Sequence, residues 1–424
     1  MVAPLLAAAA CAAPPPFAAP RADRPRYQLS VRVEPGFKRV RGSVRVRFTA
    51  SRPTDRLVFR LWPNGPLQRA AGQRLDVGAV TENGSRLGVG RPDPTTLVVH
   101  LGRPLDSGDT VMVAVPWTLS VPARSRDRIA RYAGGLRLGS FFPILAWDPD
   151  RGWVTDPPAR ILGESSTTPT ADFDVRVWAP RGTRILVSAD SAGNGLWHAR
   201  AVRDVAVGVG RFRILAATAR TPRPVTVRVA VDRASAIAPA ATLRMARSSL
   251  ERISRLYGAY PWRTYTVVFP RDLRREGIEY PTLVFVGDVF TGPIVSHETG
   301  HQWFYSLVGN DQYRDPWLDE TLATWTQTRL TGSFGPGLDL RNIMHVGEPM
   351  SYWAGRQRRY FAEVYAGGVL ALRSLGASAR IDCALRLYVA QNAYRIAKPG
   401  DFLDALNTVI PGAAAKLRRF GIHR

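Results

Sequence analysis

Apolar positions change period partway along the chain. Up to about residue 232 they alternate with polar ones in short runs. Val44-Arg45-Val46-Arg47-Phe48 is the clearest, the pattern of a strand with one face buried. Leu29–Val33, Leu57–Leu61, Leu97–Leu101, Val111–Val115, Phe173–Trp178 and Val225–Val231 are similar runs, parted by Gly, Pro and Asp clusters that favour turns. These runs predict a large antiparallel β domain over 27–235. Near Pro239 the period becomes helical: Leu243, Ala246, Leu250, Ile253 and Tyr257 step by three and four, and Gly258 follows. Short strands are expected at Tyr265–Phe269 and Thr282–Val286, then helices over 293–307 and 318–331. Residues 336–356 read as irregular. The stretch 358–424 reads as helical, with breaks near Gly376, Pro399 and Pro411. The predicted fold is multidomain: a β-rich N-terminal sandwich or saddle, then an α+β unit over 236–424 with a short helical tail.

The first of the two paired helices carries His297-Glu298-Thr299-Gly300-His301. Residues four apart share one helix face, so His297 and His301 can hold a single metal ion. Glu298 lies one residue round the helix, where a general base would stand. A zinc site with an open position needs a third ligand. Glu320, at the start of the second helix and separated from His301 by 18 residues, can supply it. The chain has only six histidines, which makes a chance match rare. Two histidines and a glutamate buried without a metal would also be hard to satisfy. One zinc per chain is expected.

Charge adds a second theme. Lys plus Arg number 58 against 34 Asp plus Glu, a formal charge of +24, and lysine occurs only at Lys38, Lys398 and Lys416. A GC-rich genome explains arginine over lysine but not the excess of positive charge. Attraction to an anionic membrane or cell-wall surface would explain that excess. Nucleic acid is not expected: no zinc-finger, RNP-type or helix-turn-helix signature is present, and the arginines are spread along the chain. Residues 1–20 read as the apolar core and small-residue end of an export signal, although no basic segment precedes them. Cys11 follows three alanines as in a weak lipoprotein box, which makes it a candidate for lipidation, without the usual leucine three residues earlier. Residues 1–26 are thus expected as a leader and Pro-rich tether, and the protein as exported to the cell surface or beyond. Cys383 is expected to be a small buried apolar residue, with no disulfide framework.

The motifs resemble those of gluzincin aminopeptidases, of the aminopeptidase N and leukotriene hydrolase type. The match rests first on His297-Glu298-Thr299-Gly300-His301 followed at that spacing by Glu320. It extends to Gln302-Trp303-Phe304 and Trp317-Leu318-Asp319-Glu320. Glu276-Gly277-Ile278-Glu279-Tyr280 matches the family's G-x-M-E-N motif, and Tyr365-Ala366-Gly367-Gly368 its Tyr-x-Lys-Gly motif. Weaker echoes are Leu61-Trp62-Pro63-Asn64, Phe141-Phe142-Pro143 with Gly152-Trp153, and Ala171-Asp172-Phe173-Asp174-Val175. The resemblance implies a thermolysin-like catalytic domain with His297, His301 and Glu320 on zinc and Glu298 as base. It also implies that Glu279, with Gly277, binds the substrate's free amine, and that Tyr365 stabilises the oxyanion. Glu276 and Ile278 depart from the first motif and Gly367 from the second; Tyr360 and Tyr352 are fallback candidates for Tyr365. The implied activity is removal of N-terminal residues from peptides. Endopeptidase action in an open cleft, or a non-catalytic envelope-binding protein on the same fold, are the alternatives.

Overall fold

The computed structural model describes residues 11–163, 167–289, 291–334 and 342–424. Alternation builds the N-terminal part. Strands β1 (Arg26–Val33), β2 (Arg39–Thr49), β3 (Thr110–Ser120), β4 (Ala171–Trp178) and β5 (Leu196–Val202) lie in a nine-stranded sheet. β1 runs antiparallel to β2 and parallel to β4, and β2 runs antiparallel to β3. One face of this sheet buries Leu29, Val31, Val44, Val46, Val113, Val115, Phe173 and Val175 in a core shared with Phe59, Leu97 and Phe142. The multidomain fold, β-rich first and helical later, is as expected.

A second sheet organises the C-terminal part. Strands β6 (Phe212–Ala219) and β7 (Val225–Asp232) pair with each other, and β7 pairs in parallel with β8 (Thr264–Phe269). β8 continues to β10 (Leu283–Val286), and β9 (Gly277–Tyr280) closes the edge antiparallel to β10. The expected boundary at 235/236 therefore cuts a continuous sheet. Val225, Val227, Val229 and Val231 also share their core with Leu250, Ile253 and Trp303. Hydrogen-bond continuity and common burial place 212–232 with the helical unit. Alternation alone could not reveal this, because a strand reads the same in either sheet.

Helices α1 (Pro239–Tyr257), α2 (Thr291–Gly300) and α3 (Trp317–Thr331) pack against one another. α4 (Gly368–Arg373), α5 (Ser378–Asn392) and α6 (Pro399–Val409) form the tail. α2 stops near the second histidine and does not reach 307. The chain turns through Tyr305, at φ 118°, so that Trp303, Phe304, Leu307 and Val308 are all buried. A straight helix could not turn four such neighbours inward at once. Of the expected irregular stretch, 336–341 lies outside the described residues; a single short turn of helix, Met350–Trp353, interrupts the remainder.

The leader brings the main correction. Residues 1–10 lie outside the described residues, but 11–20 are docked and do not form a free tether. Ala18 N donates to Ala390 O at 3.0 Å, Arg386 Nη1 donates to Cys11 O at 3.1 Å, and Phe17 packs against the second core. Cys11 and Cys383, expected unpaired, form a disulfide across 372 residues, with Cα atoms 4.7 Å apart. Two cysteines so far apart in sequence give no spacing signal, so only the tertiary fold reveals the pair. The Cys11 sulfur is committed to this bridge and is not available for a lipid anchor. We predict no free thiol in the denatured, unreduced protein and two after reduction. Cys383→Ser should lower unfolding free energy by about 2–4 kcal/mol in denaturant titrations. Two thiols before reduction would contradict the bridge.

Candidate active site and metal centre

α2 and α3 bring three donor atoms into a triangle. His297 Nε2 and His301 Nε2 stand 3.0 Å apart, and Glu320 Oε2 lies 3.3 Å from the first and 3.5 Å from the second. Ligands ~2.0–2.1 Å from a tetrahedral zinc ion stand roughly 3.3 Å from one another. The donor set and its spacing thus fit zinc. Glu298 also offers a carboxylate oxygen within 4.8 Å of both imidazole donor atoms. Glu320 is the better third ligand because it contacts both rings closely. Glu298 Oε2, buried and without a hydrogen-bond partner among the described residues, is left for a proton or a water.

Electrostatics agree. Glu279, Glu298, Asp319 and Glu320 are each at most 4% exposed. Burial alone would lower the pKa of His301, but Asp319 and then Glu320 outweigh it and hold that pKa well above the ordinary value. Burial works against ionisation of Glu320, yet its contacts with His297 and His301 hold its pKa well below the carboxylate range. So much buried negative charge draws a proton onto His301; a bound cation would take that proton's place.

Asp319, given no role from sequence, fixes the ring. His301 Nδ1 lies 2.6 Å from Asp319 Oδ1, and Gln312 Nε2 donates to Asp319 Oδ2 at 2.7 Å. A carboxylate on the far nitrogen turns Nε2 towards the metal position. Its signal was present in the residue immediately before Glu320.

All seven candidate residues reach one cleft of about 270 Å³: His297, Glu298, His301, Glu320, Glu279, Gly277 and Tyr365. Gly277 is placed differently from a simple substrate contact. A Cβ there would lie 2.1 Å from Glu298 Oε1, so the glycine opens the space in which Glu298 sits. Glu279, on β9, already accepts a hydrogen bond from Arg128 Nη2 at 3.0 Å. Arg128 Nη1 also donates to Tyr280 Oη at 3.0 Å. Arg128 comes from the β domain, 151 residues away, and no local motif marks it. Glu276 is exposed at the cleft wall.

Tyr365 sits in a π-helical turn, Phe361–Gly367, that leads into α4. Such turns often mark functional positions. Its ring stacks on His297 with centroids 5.7 Å apart, and burial, followed by the nearby Glu320 carboxylate, raises its pKa well above the usual phenol value. Of the fallback tyrosines, Tyr360 is fully buried and Tyr352 stacks on His345, so neither lines this cleft. The departure at Gly367 has a packing cause: a Cβ would meet Ile343 Cγ2 at 2.6 Å.

Residues 246–354 match the Peptidase family M1 domain. Aminopeptidase RNPEPL1 of Mus musculus is 31% identical over 173 residues, covering 38% of this chain and 24% of that protein. Aminopeptidase B of Rattus norvegicus is 33% identical over 84 residues, covering 18% and 13%. The chain thus spans about a quarter or less of the length of these relatives. The fold is that of an M1 zinc metallopeptidase from Deinococcus radiodurans, with a TM-score of 0.67 at 21% identity over 95% of this chain and 93% of that one. A related structure of that protein holds a Tyr-Ser-Ala substrate and gives a TM-score of 0.68 at 21% identity, over 95% and 94%. The resemblance to gluzincin aminopeptidases is therefore carried by the domain match as well as by the motifs.

Two variants separate the parts of this site. Glu320→Ala should abolish stoichiometric zinc binding in metal analysis, whereas Asp319→Asn should weaken it about 10–100-fold in competition with a chelator. Gly277→Ala should keep zinc but displace Glu298. Equal zinc affinity in the wild type and Glu320→Ala would rule Glu320 out as a ligand.

Proposed function

We propose that this chain, whose residues 246–354 match the Peptidase family M1 domain, is a zinc-dependent aminopeptidase acting on peptides with a free N-terminus. The observation that carries the reading is the His297, His301 and Glu320 triangle, with Glu298 Oε2 beside it lacking a hydrogen-bond partner among the described residues. Bound there, zinc would lower the pKa of a water towards ~7 and polarise the scissile carbonyl. Glu298 accepts the proton of the attacking water and returns it to the departing amine. Tyr365 donates its hydroxyl to the carbonyl oxygen as negative charge develops there.

Glu279 is the group that counts from the N-terminus. Its Oε1 accepts a hydrogen bond from Arg128, which orients the carboxylate in the cleft that it lines. An ammonium on this carboxylate forms a charge-assisted bond that contributes about 1.5–3 kcal/mol. Endopeptidase cleavage at internal bonds is the second reading.

Export to an oxidising compartment completes the proposal. The Cys11–Cys383 bridge supports it, because disulfides persist mainly outside the cytosol. The excess of basic residues supports association with an anionic membrane or cell-wall surface.

Peptides with a free amine should lose one N-terminal residue at a time, and N-acetylated copies should react at least about tenfold more slowly in kcat/KM. Glu279→Ala should erase most of that difference with zinc retained. Glu298→Gln should keep zinc and lose nearly all turnover. Acetylated and free peptides cut equally, at internal bonds, would replace this reading with the endopeptidase one.

A further inference from the structure

The outer face of the nine-stranded sheet carries charge that the fold does not neutralise. Arg26 and Arg32 on β1, Arg39, Arg45 and Arg47 on β2, and Arg176 on β4 are all exposed. Strand register sets Arg26 opposite Arg47 and Arg32 opposite Arg41. Like charges placed directly opposite across a ladder are destabilising. The acids beside this face are already taken by other cations. Asp172 pairs with Arg24 at 2.8 Å, Asp174 with Arg200 and His198, Glu34 with Arg41 at 2.7 Å, and Asp76 with Arg74 at 2.6 Å. The first six arginines have no carboxylate partner among the described residues. Between them stand two large apolar side chains. Trp178 is 43% exposed with the Arg32 guanidinium 5.0 Å above its ring, and Met112, 39% exposed, lies opposite Arg47.

We propose that this face docks on a bilayer of anionic lipid, with the arginines on the lipid phosphates and Trp178 and Met112 among the headgroups. This rests on the basic-surface part of the proposed function and names the face that serves it. A dissolved polyanion would engage the arginines but gain nothing from an exposed tryptophan, whereas a membrane interface favours one. No described helix is long and apolar enough to cross a membrane. Each basic residue near an anionic bilayer strengthens binding by about fivefold, and added salt weakens it.

The test is co-sedimentation of the full chain with phosphatidylcholine vesicles, with and without phosphatidylglycerol. One variant replaces Arg26, Arg45, Arg47 and Arg176 by Gln; a control replaces Arg244, Arg255, Arg358 and Arg418, exposed elsewhere, by Gln. The first should lose at least about a hundredfold in affinity for the anionic vesicles, the control far less, and both should keep peptide hydrolysis. Trp178→Ala should weaken vesicle binding but leave binding to soluble polyphosphate unchanged. Equal loss in the two four-residue variants would overturn the choice of face while general attraction to anions survived. No preference of the wild type for anionic vesicles would overturn both. Full vesicle binding by Trp178→Ala would overturn the bilayer in favour of a soluble polyanion.

Discussion

Buried negative charge is the constraint around which this molecule is built. Glu279, Glu298, Asp319 and Glu320 are almost wholly removed from water around one cleft. Burying an ionised carboxylate is costly unless a partner compensates it. Arg128 answers Glu279, and His301 answers Asp319. Glu320 has two imidazoles, whose lone pairs are useful to it only when a proton or a cation lies between them. Glu298 Oε2 has no hydrogen-bond partner among the described residues. A divalent cation on the three-donor triangle relieves Glu320 directly and leaves Glu298 free to handle protons.

The β domain is part of this solution. Arg128 enters the cleft from it and sets Glu279. Arg203, 3% exposed, donates to the carbonyls of Tyr305 at 2.9 Å and Thr168 at 3.1 Å, and also to that of Arg395. It thereby ties the β domain to the turn that ends α2 and to the segment after α5. A buried guanidinium satisfied by carbonyls holds position through several directed bonds at once. The Cys11–Cys383 bridge adds a covalent hold on the segment that precedes β1. The catalytic groups lie on helices, a sheet edge and a π-helical turn, and these contacts fix the elements relative to one another.

How much was legible depended on range. His297, Glu298 and His301 could be read because helical spacing puts chemistry four residues apart on one face. Glu320 could be read because its distance from them suits a second packed helix. Asp319 was in view beside it, yet only the rotation of α3 in the fold turns it onto His301 Nδ1. Arg128 was not legible: nothing local distinguishes it from the other arginines of the β domain. The Cys11–Cys383 pair and the membership of β6 and β7 in the second sheet were hidden for the same reason, since both are contacts between distant segments. α2 ends before the sequence pattern does, because the apolar residues that continue past His301 serve a turn there. Gly277 and Gly367 show a further limit. A sequence marks a glycine, but only neighbouring atoms, Glu298 in one case and Ile343 in the other, explain it.

Zinc titration of the metal-free protein tests the central claim most directly. Hydrolysis of a peptide with a free amine, followed as zinc is added back, should rise in proportion to zinc and level off at one equivalent per chain, with a single residue released from the N-terminus. Hydrolysis that persists without metal, or that never appears at any zinc concentration, would contradict a zinc-dependent aminopeptidase.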